Sequence, residues 1–218
     1  MGLGKTLQAL AVMLNHAPKA PCLVVAPTSV CHNWMSEIEK FAPTLKTYSL
    51  NQYSTSSKRK ELIESLNPLD VLICSYSLLQ QEETHLAEKS WQMIVLDEAQ
   101  AIKNTTTKRF QAAIRLKGTF KLALTGTPIE NHGEEIWSLF RFIAPGLLGS
   151  LESFRKRFLE DTSKKASLKS LINMFILRRT KSVVLQELPS RTDQTLLIDM
   201  EPEEFAFYEA LRRDALKK

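Results

Sequence analysis

The feature that most constrains this fold is a series of short apolar runs separated by segments with helical periodicity. The four strong runs are Cys22–Ala26, Val71–Cys74, Met93–Leu96 and Lys121–Leu124, and a weaker one lies near Thr47–Leu50. The strong runs show little polar alternation, which is typical of strands buried on both faces of a parallel sheet. The alternation of strand and helix therefore predicts an α/β domain with a doubly wound, mostly parallel central sheet.

Helices are predicted between these runs because apolar side chains recur there three and four positions apart. The first stripe consists of Leu7, Leu10, Ala11 and Leu14. The other stripes lie within residues 30–41, 136–143 and 205–216. Each helix is expected to bury its apolar stripe against the sheet or against a neighbouring helix.

The pattern changes beyond about residue 150. Two basic helical segments, Phe154–Glu160 and Leu168–Leu177, follow without a strand between them. A further strand is predicted at Thr195–Ile198, and a last helix is predicted to begin at Pro202. Acidic residues in the first turn of that helix and lysines in its last turn favour the helix dipole.

Charge is distributed unevenly along the chain, whose formal net charge is +5. Residues 151–191 carry 10 Lys and Arg against 4 Asp and Glu, a net of +6. Such a segment is compatible with a polyanionic partner, although a solvated helix face explains the charge alone at least as well. The composition and charge together predict a main domain over residues 1–150, a basic helical segment over 151–190 and a final segment over 191–218.

The composition also argues against several classes of protein. No run of about 18 apolar residues occurs, so no membrane span is predicted, and the first residues do not resemble a signal peptide. Cys22, Cys31 and Cys74 lack paired spacing and are expected to be reduced thiols rather than zinc ligands or disulfides. The four histidines are scattered, so no metal cluster is expected. These features predict a cytoplasmic protein.

A glycine-rich turn precedes the first helical stripe. Gly2, Leu3, Gly4, Lys5 and Thr6 form a loop that leads into a helix N-terminus, where free N–H groups and the helix dipole favour phosphate. Lys5 would reach the β- and γ-phosphates of a nucleotide, and the Thr6 hydroxyl would ligate Mg²⁺. A flexible terminus without a ligand is the alternative, because the full signature includes earlier residues and a preceding strand.

An acidic pair, Asp97 and Glu98, directly follows the apolar run that ends at Leu96. Carboxylates at the end of a buried strand are costly unless they have a function. The functional interpretation is a Walker B element, in which Asp97 holds Mg²⁺ through its water shell and Glu98 orients or deprotonates the attacking water. A solvated loop start is the alternative, and the upstream glycine-rich turn weakens it.

Polar residues also follow two other runs. Thr125–Pro128 lies where open α/β sheets bind ligands, although a simple turn explains this segment alone. Thr28 or Ser29 is expected to cap the helix after the first run, and that helix N-terminus can also take a nucleic-acid phosphate. The cluster Arg178–Lys181 suits a phosphate or carboxylate clamp, with a solvated helix end as the equal alternative.

Taken in order, these segments resemble the first RecA-like lobe of the Swi/Snf-like ATPases of helicase superfamily two. Nine segments carry the resemblance and span nearly the whole chain: Met1–Gln8, Leu23–Trp34, Glu37–Pro43, Val71–Leu79, Val95–Asn104, Leu124–Asn131, Glu135–Phe140, Phe175–Pro189 and Pro202–Leu211. The combination of DEAQ, AIKN and TGTPIEN is more similar to the bacterial branch of the family than to the eukaryotic remodellers.

The resemblance implies a RecA-like three-layer fold and the use of ATP with Mg²⁺. It also implies translocation along double-stranded DNA without strand separation, and the remodelling or displacement of a DNA-bound protein such as RNA polymerase. A bacterial member of the family would be associated with the nucleoid.

The family's functional residues are carried over by position. Its phosphate loop falls on Gly2, Gly4, Lys5 and Thr6, and its Mg²⁺-binding and water-activating acids fall on Asp97 and Glu98. Its DNA-backbone contacts fall on Pro27, Thr28, Ser29 and Lys103. Its coupling segment, between the nucleotide site and DNA, falls on Thr125, Gly126 and Thr127.

The family's pattern extends beyond this sequence at both ends, so a fragment is expected. Residues 1–150 would be the ATP-binding lobe without its first strand, 151–190 a helical insertion, and 191–218 the start of the second lobe or a linker to it. The arginine that completes hydrolysis belongs to that second lobe, so the isolated chain is expected to lack full activity. The alternatives are a non-catalytic DNA- or protein-binding lobe and another P-loop enzyme such as a kinase, which DEAQ and TGTP disfavour.

Overall fold

The computed structural model describes residues 3–126, 133–160, 162–179, 195 and 200–216. The chain divides into two compact units, Met1–Arg178 and Arg179–Lys218. The first unit contains the sheet and the helices around it, and the second contains one described helix.

Five parallel strands form the central sheet, in the order β2-β3-β1-β4-β5. The strands are β1 Cys22–Ala26, β2 Lys46–Ser49, β3 Asp70–Ser75, β4 Ser90–Leu96 and β5 Lys117–Ala123. The predicted α/β class with a parallel sheet is confirmed. All five predicted strands in this part of the chain are present, and β4 and β5 begin three and four residues earlier than the apolar runs indicate.

Helices of the first unit cover both faces of this sheet. Their bounds are α1 Lys5–His16, α2 Thr28–Phe41, α3 Ser56–Ser65, α4 Tyr76–Gln81, α5 Glu83–Glu88, α6 Lys108–Arg115, α7 Glu134–Ile143, α8 Leu151–Phe154 and α9 Lys165–Asn173. The second unit contains α10 Pro202–Leu216. Short 3-10 turns lie at Leu50–Gln52, Ala99–Ile102 and Thr162–Lys164, and a π-helical turn at Arg155–Leu159 continues α8.

Alternate side chains of the central strands face opposite sides of the sheet, which produces two separate apolar cores. Val24 and Val95 belong to the core beneath α1 and α2. Val25 and Leu96 belong to the core beneath α3 to α9. The result is a three-layer arrangement with the sheet in the middle, as the RecA-like class requires.

The direction of α1 follows from a hydrogen bond at its end. The Leu69 N–H, just before β3, donates to the carbonyl of Ala17, just after α1, over 2.9 Å. The end of α1 therefore lies at the edge where the strands begin. Its first turn, which holds Lys5 and Thr6, lies at the opposite edge, where the strands end.

The apolar stripe predicted on α1 is wrong. The helix buries Ala9, Leu10 and Met13, whereas Leu7 and Leu14 are exposed. Apolar residues surround most of this helix, so the 3.6-residue period fits more than one face. Contact with α2 and β4 selects the face that is buried.

In the basic segment after residue 150, the second helix begins and ends earlier than predicted. The helix expected over Leu168–Leu177 ends at Asn173, and Met174–Leu177 is exposed chain. Phe154 and Leu168 are buried in the same core as α7. The first compact unit accordingly extends to Arg178.

Within the second unit, the structure describes one helix, α10, which begins at Pro202 as predicted. No side chain of α10 is buried, so the apolar positions Phe205, Tyr208 and Leu211 are exposed on it. Of the strand predicted at Thr195–Ile198, residues 196–198 lie outside the described part of the chain.

All three cysteines are buried free thiols. Burial raises the pKa of the Cys22 thiol to about 12, and it raises the pKa of Cys31 and Cys74 as well. Among the described residues, no helix is long and apolar enough to cross a membrane, and no three or more His, Cys, Asp and Glu side chains are grouped so that they could hold a metal ion.

A buried carboxylate, Glu82, ties α3 to the chain between α4 and α5. It is 3% exposed, accepts hydrogen bonds from Ser56 Oγ at 2.8 Å and Arg59 Nη1 at 3.0 Å, and lies 3.1 Å from His85 Nδ1. Burial by itself raises the pKa of Glu82, but these hydrogen bonds and the Arg59 charge outweigh it and hold the pKa below its ordinary value. The cluster therefore stabilises the ionised form.

We expect Glu82→Gln to lower the free energy of unfolding by about 3 kcal/mol, because it removes one partner of a buried charged pair. Glu83→Gln is the matched control, since Glu83 pairs with the largely exposed Arg115 and should cost less than about 1 kcal/mol. Denaturant unfolding of both variants measures the difference. Equal losses would contradict a structural role for the Glu82 cluster.

Comparing the wild type with Glu82→Gln also tests how the stabilisation by Glu82 depends on pH. Because the folded-state pKa of Glu82 is lowered, its stabilisation is fully present above the unfolded pKa, about 4.3, and is lost as pH falls through the folded pKa. The gap in unfolding free energy between wild type and Glu82→Gln should therefore close below about pH 4. A gap that widens with acid would contradict this assignment.

Candidate functional site

The carboxyl ends of the central strands bring several predicted site residues to one edge. Val25 of β1 pairs with Leu96 of β4, and Leu96 pairs with Ala123 of β5. The segments that begin at Pro27 and Asp97 therefore leave the sheet side by side, and the first turn of α1 lies at the same edge. Open α/β sheets bind ligands at this edge.

The first turn of α1 offers unpaired backbone donors. Gly4 is its N-cap, at φ 70°, and no side chain caps the helix. The first intrahelical bond runs from the Gln8 N–H to the Gly4 carbonyl, at 3.0 Å, so the N–H groups of residues 5–7 have no acceptor within the helix. The first turn contains no acidic residue, and Lys5 and Thr6 are half-buried within it. The turn therefore suits an anion.

The loop before this turn is only partly described. The Leu3 carbonyl accepts a hydrogen bond from Gln8 Nε2 over 3.2 Å, which ties the loop back to the helix. Gly2, predicted to belong to the same phosphate loop, lies outside the described residues.

Four hydrogen bonds fix the position of Asp97. Its carboxylate Oδ2 accepts from Trp34 Nε1 at 2.8 Å, and its Oδ1 accepts from the Glu98 N–H at 2.9 Å. Its own N–H donates to the Val25 carbonyl at 2.8 Å, and its carbonyl accepts from the Tyr76 hydroxyl at 2.9 Å. The residue is 7% exposed. Burial, with the nearby Asp97 charge, raises the pKa of Tyr76, so this hydroxyl remains a donor.

Glu98 is connected to the segment after β5 through one amide. Gln100 Nε2 donates to Glu98 Oε2 at 2.8 Å, and Gln100 Oε1 accepts from Thr125 Oγ1 at 2.8 Å. Glu98 itself has φ 47°, a left-handed conformation that costs energy for any residue other than glycine and is common at functional sites. Of the predicted coupling residues, Thr125 joins this network, Gly126 ends the described segment, and Thr127 lies outside it.

The helix cap predicted for Thr28 or Ser29 is wrong. Pro27 occupies the N-cap position of α2, and no side chain caps the helix. Thr28 is already helical, so its hydroxyl does not point back to the first turn, and both Thr28 and Ser29 are exposed. Both residues are therefore accessible at the edge where the strands end.

Lys103, predicted as a DNA contact, is paired within the protein. Its Nζ lies 3.5 Å from Glu135 Oε1 of α7, whose side chain is 10% exposed, while the lysine side chain is 41% exposed. Its carbonyl also accepts a hydrogen bond from Ser138 Oγ at 2.8 Å. The segment that follows the acidic pair is thus anchored to α7.

Sequence patterns missed Trp34, Gln100 and Tyr76 as site residues. Trp34 belongs to a helical stripe that indicates burial, and nothing in that periodicity indicates that its indole N–H bonds a carboxylate.

The basic cluster predicted at Arg178–Lys181 is only partly described. Arg178 and Arg179 are exposed, and residues 180–181 lie outside the described part of the chain.

Comparisons with known proteins identify the family of this chain. A family model described as the SNF2-related domain matches residues 1–218. The chain belongs to this family. It is 39% identical, with a TM-score of 0.75, to the Sulfolobus solfataricus SWI2/SNF2 ATPase core solved in complex with dsDNA.

Two curated relatives represent the bacterial and eukaryotic sides of the family. An uncharacterized ATP-dependent helicase of Mycoplasma pneumoniae is 38% identical over 225 residues, which cover 100% of this chain and 22% of that protein. The chromatin-remodeling ATPase INO80 of Cryptococcus neoformans is 34% identical over 241 residues, covering 98% of this chain and 14% of that protein. The chain thus spans less than a quarter of these relatives, and it spans 47% of the Sulfolobus chain.

The left-handed conformation of Gly4 can be tested by substitution. We expect Gly4→Ala to lower the free energy of unfolding by about 1 kcal/mol, because a Cβ disfavours φ near 70° even where no atom lies within 4 Å of it. Gly126→Ala is the control, since its Cβ also meets open space and its φ is not left-handed. Thermal and denaturant unfolding compare the two, and equal stability would contradict the strain at Gly4.

Proposed function

We propose that this chain is the ATP-binding lobe of a Swi/Snf-type ATPase and translocase that depends on double-stranded DNA. Such a protein hydrolyses ATP to move on DNA and to remodel or displace a bound protein. The observation that carries the proposal is the meeting, at one sheet edge, of an uncapped helix N-terminus and an acidic pair whose first member, Asp97, is buried.

The first turn of α1 is proposed to bind the nucleotide phosphates. Its N–H groups point away from the helix without acceptors inside it, and the positive end of the helix dipole favours their charge. The Lys5 ammonium would pair with the β- and γ-phosphates. Glycine at position 4 allows the backbone to turn tightly around them.

The oxygen donors at this edge fit a magnesium ion. Asp97 supplies a carboxylate whose two oxygens accept hydrogen bonds from neutral N–H groups, which bring no positive charge to compete with a cation. Thr6 supplies a hydroxyl at the start of α1, and hard oxygen donors of this kind are the ligands that Mg²⁺ prefers. When bound, the ion neutralises charge on the phosphates.

Glu98 is proposed to orient or deprotonate the water that attacks the γ-phosphate. The left-handed backbone and the hydrogen bond from Gln100 hold its carboxylate at the sheet edge. The same amide accepts from Thr125, so the position of Glu98 depends on the segment after β5. This link supports the proposed coupling between hydrolysis and DNA binding.

The exposed start of α2 is proposed to contact the DNA backbone. Thr28 and Ser29 present hydroxyls and helix N-terminal N–H groups, which bind phosphates without reading sequence. The similarity to a SWI2/SNF2 core solved with dsDNA supports double-stranded DNA as the partner.

We expect Lys5→Ala and Glu98→Gln to lower ATP turnover by about 100-fold or more in the product of the complete gene, because each removes a group that acts in the transition state. Lys5→Ala should also weaken nucleotide binding, whereas Glu98→Gln should retain it, since its amide oxygen still accepts from Gln100. Phosphate release and binding of a fluorescent nucleotide measure the two effects.

The exposed Lys19→Ala and Glu88→Gln serve as controls for these two variants and should leave turnover unchanged. Turnover that survives Glu98→Gln would contradict the assigned role. A protein that binds DNA but never hydrolyses ATP would favour the non-catalytic binding lobe instead.

We expect duplex DNA to accelerate ATP hydrolysis and Thr28→Ala with Ser29→Ala to raise the DNA concentration for half-maximal stimulation several-fold, about one order of magnitude at most. Ser36→Ala is the control, because it is exposed on the same helix away from the first turn. Hydrolysis assays across duplex DNA, single-stranded DNA and RNA separate the partners. An ATPase indifferent to duplex DNA would overturn the proposed DNA dependence.

A further inference from the structure

The hydrogen bond between Trp34 and Asp97 is not explained by the apolar packing of α2. Trp34 is fully buried, and its indole Nε1 lies 2.8 Å from Asp97 Oδ2, 63 residues further along the chain. Trp91, by contrast, donates its indole N–H to the backbone carbonyl of Leu86 at 2.9 Å.

The Trp34 indole is a neutral hydrogen-bond donor to the Asp97 carboxylate. Among the described residues Asp97 takes part in no ion pair, and its side-chain oxygens accept only from the Trp34 indole and the Glu98 N–H. A lysine or arginine in place of Trp34 would neutralise Asp97 and compete with a cation. A neutral indole fixes the orientation of the carboxylate and leaves its charge available.

The geometry also limits how the carboxylate can turn. Oδ1 is held by the next residue along the chain, and Oδ2 is held by a side chain from α2, so rotation about the Cβ–Cγ bond breaks one bond or both. The Trp34 ring is immobilised because it is packed among the buried side chains beneath α2. The carboxylate position is therefore set by a separate, rigid helix.

We propose that Trp34 is a positioning residue, which orients the Asp97 carboxylate for a divalent cation bound with the nucleotide. This inference rests on the proposed nucleotide site, and it adds a residue from α2 to it. Because α2 begins with the exposed residues proposed to contact DNA, this bond also connects that helix to the cation ligand.

The test measures the magnesium requirement of nucleotide binding in the product of the complete gene. A fluorescent ATP analogue is titrated with and without Mg²⁺ in wild type, Trp34→Phe and Trp91→Phe. We expect Trp34→Phe to raise the Mg²⁺ concentration for half-maximal effect about tenfold, the loss typical of a removed outer-shell partner, and to leave the magnesium-free affinity unchanged.

Trp91→Phe is a closely matched control. It removes an equally buried indole and an equally satisfied N–H, but its partner is a backbone carbonyl remote from Asp97. It should match Trp34→Phe in lost stability and keep the wild-type magnesium requirement. Equal magnesium requirements in the two variants would overturn the positioning role.

A second substitution avoids the cavity that phenylalanine leaves. Benzothienylalanine, introduced at position 34 by codon suppression, keeps the bicyclic shape and replaces the N–H with sulfur. It should reproduce the raised magnesium requirement in a fully folded protein, and a wild-type requirement would overturn the proposal.

Two results with the wild-type protein distinguish this inference from the proposed function. Nucleotide binding that does not respond to Mg²⁺ would overturn the cation site and the inference with it. Nucleotide binding that depends on Mg²⁺ in a protein that DNA does not stimulate would contradict only the proposed DNA dependence.

Discussion

The hydrogen bonds around Asp97 are the interactions on which the rest of the site depends. Its N–H extends the ladder between β1 and β4 through Val25, so its position is set by the register of two central strands. Its carbonyl is held by Tyr76 from one face of the sheet and its carboxylate by Trp34 from the other. The site is therefore built from all three layers and cannot form before the sheet and both helices have packed.

Two buried carboxylates in this chain are satisfied in opposite ways, and the difference separates stability from chemistry. Glu82 is neutralised by the Arg59 guanidinium and adjacent hydrogen-bond partners, an arrangement that ties helices together and leaves no charge for a ligand. The Asp97 carboxylate accepts from neutral N–H groups only among the described residues, so no positive charge of the protein competes there with a bound cation.

The elements that were predicted well are those where one local signal dominates. Unbroken apolar runs such as that of β1 can be buried on both faces only in the middle of a sheet, so their strand character follows from composition. The stripe on α1 was wrong because several faces of that helix are apolar, and only contact with α2 and β4 distinguishes them. The end of α9 at Asn173 was missed for a related reason, since Met174–Leu177 continues the apolar pattern although it is exposed.

The sequence by itself determined the α/β class, the parallel sheet and the residue types gathered at its carboxyl edge, because strand order along the chain and the position of polar residues after each strand are local properties. The tertiary structure alone decided which partners those residues have. The bond from Trp34 to Asp97 and the path from Glu98 through Gln100 to Thr125 join segments far apart in the chain. Hydrogen bonds of this kind form only when the packed layers are placed to within a few tenths of an ångström. No periodicity in the sequence encodes that placement.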